Sequence, residues 1–178
     1  HYAKFKPLID AIDKFTADAV NQIDKVFVSG HSLGAAMVQM FMAEPNHADQ
    51  NKYEALALAT PGRYDSSNTI DHHDILNIVH TDDLVTTFNV KPHDGSILYI
   101  DIPLFPIDSI NPIAEHSKEL YYKDLVDLVA FANDSASPFS SSPLAIALAA
   151  GSIYTGNDLQ ISLSDNHVTS QHTMFSIR

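Results

Sequence analysis

Gly30-His31-Ser32-Leu33-Gly34 sets a serine between two glycines, each two residues away. A nucleophile on a sharp strand-to-helix turn needs small residues at those two positions, because side chains there would collide as the backbone bends. Such a turn lifts the Ser32 hydroxyl clear of a sheet. It also sets the hydroxyl at a helix N-terminus, where the helix dipole and free amides favour developing negative charge. The chemistry that fits is acyl transfer, with the Leu33 N–H as the first oxyanion donor. The plainer reading is that Ser32 only caps the helix beginning at Leu33, since serine is a preferred N-cap residue. The chain has only 6 glycines, so a chance match to this pattern at a strand-helix junction is rare, which favours the nucleophile.

A serine hydroxyl is a weak nucleophile at neutral pH, so a histidine must take its proton and a carboxylate must orient that histidine. On an elbow of this type the order along the chain is serine, acid, histidine. His80-Thr81-Asp82-Asp83 follows an apolar run and supplies the acid: Asp83 first, Asp82 in reserve, because adjacent residues there point to different sides. Of the 10 histidines, position sorts most. His31 lies inside the elbow; His47, His72 and His73 precede the acid in polar loops; His80 sits beside it and shapes the turn. His93 is in a Lys-Pro-His-Asp-Gly turn, and His167 and His172 fall near the C-terminus. His116, where a loop enters a helix, is the best placed base. As a base it implies activity that climbs through about pH 6 to 7, where an imidazole loses its proton.

Elements that could position these groups follow from periodicity. Phe5, Leu8, Ile12, Phe15 and Ala19 recur at helical spacing and predict a helix to about Val20 whose apolar face packs on a sheet. Lys25 to Ser29 is a short β-branched run expected to be a strand buried on both faces, ended by Gly30. Leu33, Ala36, Met37, Met40 and Phe41 return to helical spacing until Pro45. Further strands are expected at Glu54 to Thr60, Ile75 to His80 and Ser96 to Ile102. A helix carrying Tyr121, Leu125, Leu128, Val129 and Ala132 is expected to begin between Pro112 and Ser117. Strands separated by helices or long crossovers predict an α/β fold, a mostly parallel sheet with flanking helices, over residues 1–134. Ser135 to Pro143 reads as a Ser/Pro-rich linker, and residues 135–178 as an extension of unassigned role. Within it Leu159 to Ser164 alternates like a strand after a Gly156-Asn157-Asp158 turn.

Composition excludes several classes. The 178 residues are 45% apolar, enough for one packed domain. Acidic residues number 22 against 10 basic ones, and the net charge of −12 repels phosphate backbones, so nucleic acid is not an expected partner. Without cysteine there is no disulfide, thiolate metal site or cysteine nucleophile, and the compartment stays open between cytoplasm and secretion. No signal peptide is visible, and the longest apolar run, Leu144 to Ala150, is far shorter than the roughly 20 residues of a membrane span. Asp71-His72-His73-Asp74 concentrates metal-ligand types, but neighbours in sequence rarely converge on one ion, and no metal is expected there.

Over roughly His1 to Ala130 the chain resembles the class 3 lipases, the fungal-lipase-like branch of the α/β-hydrolases. The resemblance rests on Val28-Ser29-Gly30-His31-Ser32-Leu33-Gly34-Ala35-Ala36, Ala59-Thr60-Pro61-Gly62-Arg63, Ile78-Val79-His80-Thr81-Asp82-Asp83-Leu84-Val85, and His116-Ser117 followed by Leu120-Tyr121-Tyr122. It departs from the family at Ala35, usually glycine, and at Thr86, often proline. The resemblance implies Ser32 as nucleophile, Asp83 as acid and His116 as base, with no metal or organic cofactor. It implies a lipid or other ester as substrate, with transient contact at a lipid surface. It also implies that the family's second oxyanion donor and lid belong to a strand and loop before the region matching His1, which leaves lipase, phospholipase A1 and short-chain esterase undivided. An acyltransferase or thioesterase would share the triad. A catalytically silent hydrolase-like binding module would share the fold alone.

Overall fold

Short apolar runs alternating with helices build one six-stranded sheet. The structure, a computed structural model, describes residues 2–44, 50–62, 74–87, 95–101, 116–134, 146, 159–164 and 167–171. The strands are β1 (Val26–His31), β2 (Tyr53–Leu58), β3 (Ile75–His80), β4 (Ser96–Asp101), β5 (Leu159–Ser164) and β6 (His167–Gln171), and they lie side by side in chain order. The pairs from β1 to β5 are parallel, and β6 returns antiparallel to β5. Among the described residues the helices are α1 (Lys6–Ala17), α2 (Leu33–Met42), the one-turn α3 (Leu84–Thr87) and α4 (Lys118–Asn133). Parallel neighbours require crossovers, and α2 supplies the one between β1 and β2. The expected mostly parallel α/β sheet with flanking helices is what forms. Within the segment expected to be an extension, β5 and β6 continue the same sheet.

Burial explains the central strands. All six residues of β3 are buried, and in β2 Ala55 and Ala57 are wholly so, which brings α2 close to the sheet. Ile9, Ala35, Val38, Phe41, Met42, Tyr53, Ala55, Ala57 and Ile75 form one core cluster. Phe41 and Tyr53 meet edge-on, with ring centroids 5.4 Å apart. A buried amide contact runs through this layer: Gln39 Nε2 donates to Asn77 Oδ1 at 2.6 Å, and Asn77 Nδ2 to the Ser96 carbonyl at 3.2 Å. It ties α2 to β3 and β4.

Two expectations require correction. Expected to be buried on both faces, β1 is instead the end strand of the described sheet; it runs on through Gly30 to His31 and leaves Phe27 62% exposed. Its apolar composition suits a central strand, but pairing partners are set by distant segments. The second concerns α1, which ends at Ala17 and is followed by a short 3-10 turn, Ala19–Asn21. Its packed side carries Ile9 and Thr16, while Phe5, Leu8 and Phe15 of the expected stripe are 50%, 57% and 55% exposed. Polar anchors account for the rotation. The Tyr53 hydroxyl donates to Asp13 Oδ1 at 2.6 Å and lies 2.9 Å from Thr16 Oγ1, while Lys6 pairs with Glu44 at 3.1 Å. Phe5 and Leu8 of that stripe, with Phe27 and Met37, line an open apolar groove of about 500 Å³ that none of Ser32, Asp83 and His116 borders.

Pro45, His47, Arg63, the Asp71-His72-His73 part of the ligand-rich run, His93, Pro103 to Pro112, the Ser135 to Pro143 linker, the Gly156-Asn157-Asp158 turn and His172 lie outside the described residues. Among the described residues no helix is long and apolar enough to cross a membrane.

Candidate active site

The turn between β1 and α2 is built as the glycine spacing demands on one side only. A Cβ on Gly30 would lie 2.5 Å from the Gly34 carbonyl carbon and oxygen, so residue 30 must be glycine. A Cβ on Gly34 would meet nothing within 4 Å among the described residues, so no steric limit on residue 34 is found there. The reason is directional: the close approach runs from residue 30 into the helix backbone, while residue 34 already has helical geometry. Ser32 itself carries the strain, at φ 57 and ψ −122. Its N–H donates to the Leu58 carbonyl on β2 at 2.9 Å and its carbonyl accepts from Ala36 at 3.2 Å. Its side chain makes no capping bond to α2, against the plainer reading of this serine.

That hydroxyl turns instead to His116. Ser32 Oγ lies 2.6 Å from His116 Nε2, across 84 positions of sequence. The other ring nitrogen, Nδ1, lies 2.9 Å from Asp83 Oδ2 and 3.1 Å from Oδ1. His116 stands immediately before Ser117, which N-caps α4 by accepting from the Leu120 N–H at 3.3 Å, so the helix start aims the imidazole. Asp83 follows the Thr81–Asp82 turn after β3 and directly precedes α3; its Oδ1 accepts from the Val85 N–H at 2.9 Å, which secures the carboxylate against that one-turn helix. The aspartate is fully buried and the histidine side chain 18% exposed. Of the sequence candidates, Ser32, Asp83 and His116 are thus brought together. Leu33 opens α2, where its N–H has no intrahelical acceptor. Asp82, the reserve, does not bond His116.

Two further groups adjoin the three. His31, half-buried, has its ring centroid 5.0 Å from that of His116, and its Nε2 is buried without a hydrogen-bond partner among the described residues. Burial, then the neighbouring His116, lowers its proton affinity below the ordinary histidine value, which favours the neutral ring. The sequence places Tyr121 in the expected helix stripe and in an aromatic pair, without a role at the site. Its hydroxyl donates to Asp83 Oδ2 at 2.9 Å, and burial first, with the Asp83 charge adding to it, pushes its pKa above the ordinary phenol value. The available signal was helical spacing: Tyr121, Asp124 and Leu128 share the buried face of α4, and a tyrosine and an aspartate there call for polar partners. No cluster of three metal-ligand types occurs among the described residues.

The arrangement sits at the C-terminal ends of parallel strands, β1 supplying the serine and β3 the acid, where open α/β sheets hold their ligands. No curated protein and no solved structure matches the chain. Residues 7–92 match the sequence model of the family described as Lipase (class 3), a segment that includes Ser32 and Asp83 and ends before His116. Over those residues the chain is similar to the class 3 lipases.

Proposed function

We propose that this chain hydrolyses carboxylic esters of lipids through a covalent acyl-Ser32 intermediate. His116 Nε2 takes the Ser32 proton as Oγ attacks the ester carbonyl, and the Leu33 N–H receives the resulting oxyanion. The imidazolium then passes its proton to the departing alcohol oxygen. A water enters, gives a proton to His116 and attacks the acyl carbonyl; the Ser32 oxygen leaves with that proton and the acid is released. Asp83 holds the ring by its Nδ1–H and balances the charge of the imidazolium. No cofactor takes part in these steps.

The observation that carries the reading is the 2.6 Å approach of Ser32 Oγ to His116 Nε2. An apolar substrate is supported by the family and by Leu33, which follows the nucleophile and is 61% exposed. The test is labelling of the purified chain with a fluorophosphonate probe, which reports an activated serine without a choice of substrate. The parent is expected to label and Ser32→Ala not to label. A folded parent that stays unlabelled would overturn the reading.

A further inference from the structure

Behind the acid lies a polar assembly that the acyl-transfer steps leave unused. The Tyr121 hydroxyl that donates to Asp83 also accepts from the backbone N–H of His80 at 2.9 Å. The two rings stack, with centroids 3.8 Å apart and planes 5° from parallel. His80 Nε2 lies 3.0 Å from Asp124 Oδ2, although out of line for a hydrogen bond, and Lys123 Nζ stands 3.9 Å from Asp124 Oδ1. Asp83, Tyr121, His80 and Asp124 are all buried.

We propose that Tyr121, clamped by His80 and its Asp124 neighbour, is a positioning residue that fixes the plane and charge of the Asp83 carboxylate. The inference rests on the reading of Ser32, His116 and Asp83 given above. A phenol has one proton and must choose an acceptor. Here the His80 N–H uses its acceptor side and the stacked imidazole bars its rotation, so the proton has one buried destination, Asp83 Oδ2. The raised pKa keeps that proton in place over the working range of an esterase. With Val85 N–H on Oδ1 and Tyr121 on Oδ2, the carboxylate cannot swing away from His116. Asp124, one turn along α4 from Tyr121, sets its carboxylate 3.0 Å from His80 Nε2.

The test uses the full chain, a p-nitrophenyl ester and three variants, Tyr121→Phe, His80→Phe and Asp124→Asn, each checked for folding by urea denaturation. Tyr121→Phe is expected to lower kcat roughly tenfold with KM nearly unchanged, the scale of one lost bond to a charged group. It should also move the acid limb of kcat/KM to higher pH. A carboxylate deprived of a donor holds a protonated His116 more firmly, so more alkali is needed to free the base. A merely structural role would lower stability without moving that limb. His80→Phe, which keeps a ring to stack, and Asp124→Asn should shift it in the same direction by less. A Tyr121→Phe variant with the parent's kcat and pH limb would overturn the proposal.

The proton on His116 Nδ1, observed by NMR, separates this failure from that of the proposed reaction. If the parent shows no Ser32-dependent turnover, the reaction reading falls; a changed resonance in Tyr121→Phe still supports the positioning role, and an unchanged one removes it.

Discussion

The two ends of β1 differ in how their residues are used. At its C-terminal end Gly30 and Ser32 are held by contacts on every side: the helix backbone over Gly30, β2 on the Ser32 amide and His116 on its hydroxyl. Along its N-terminal half Phe27 shares an apolar groove with Phe5, just before α1, and Leu8 of α1, and all three are half exposed or more. The difference teaches that apolar periodicity states what a segment prefers, whereas directional bonds and steric limits decide where it sits.

The largest effect is expected where the contrast is steric. Gly30→Ala should destabilise the fold by several kcal/mol and abolish probe labelling, because its Cβ would stand 2.5 Å from backbone atoms that cannot yield. Gly34→Ala meets open space within a helix and should leave stability unchanged or raise it by about 0.5–1 kcal/mol. Urea denaturation of both variants compares them directly, and equal losses would break the distinction drawn between the two glycines.

A smaller contrast lies in α1. Tyr53→Phe removes the hydroxyl that bonds Asp13 and Thr16, and a loss of about 1–2 kcal/mol is expected on the scale of buried hydrogen bonds. Leu8→Gln, on the exposed stripe, should change stability by less than about 0.5 kcal/mol. If Leu8→Gln proved the costlier of the two, the apolar stripe and not the polar anchors would be holding the helix.

What the sequence made legible follows the same division. The bounds of β3 and β5 agree with the short apolar or alternating runs that announced them, because strand periodicity is local. Ser32, Asp83 and His116 could be singled out because chain order and turn chemistry restrict the choices, and the structure brings them within hydrogen-bond distance. The end position of β1 and the rotation of α1 depend on Tyr53 and on strand pairing, which no periodicity in either segment encodes. The Tyr121, His80 and Asp124 assembly joins α4 to the end of β3 and is equally non-local.

The least effect is expected from His31. Its proton affinity is lowered in the fold, first by burial and then by His116, whereas the unfolded chain holds it near the ordinary value of about 6.5. Below that pH the unfolded state binds the proton first, so stability falls as pH drops towards the folded value and is regained as pH rises. Melting temperatures at pH 7.5 and 5.5 should therefore differ less in His31→Asn than in the parent. An equal or larger difference in the variant would show that the ring is not held neutral beside His116.

The central claim is that Ser32 becomes acylated during turnover. Rapid quenching of the chain with a p-nitrophenyl ester, followed by mass spectrometry of the digest, tests it most directly. The acyl mass is expected on the peptide containing Ser32 in the parent and absent in Ser32→Ala, which should also lose hydrolysis. Undiminished hydrolysis by Ser32→Ala, or an acyl group resident on another side chain, would contradict the account.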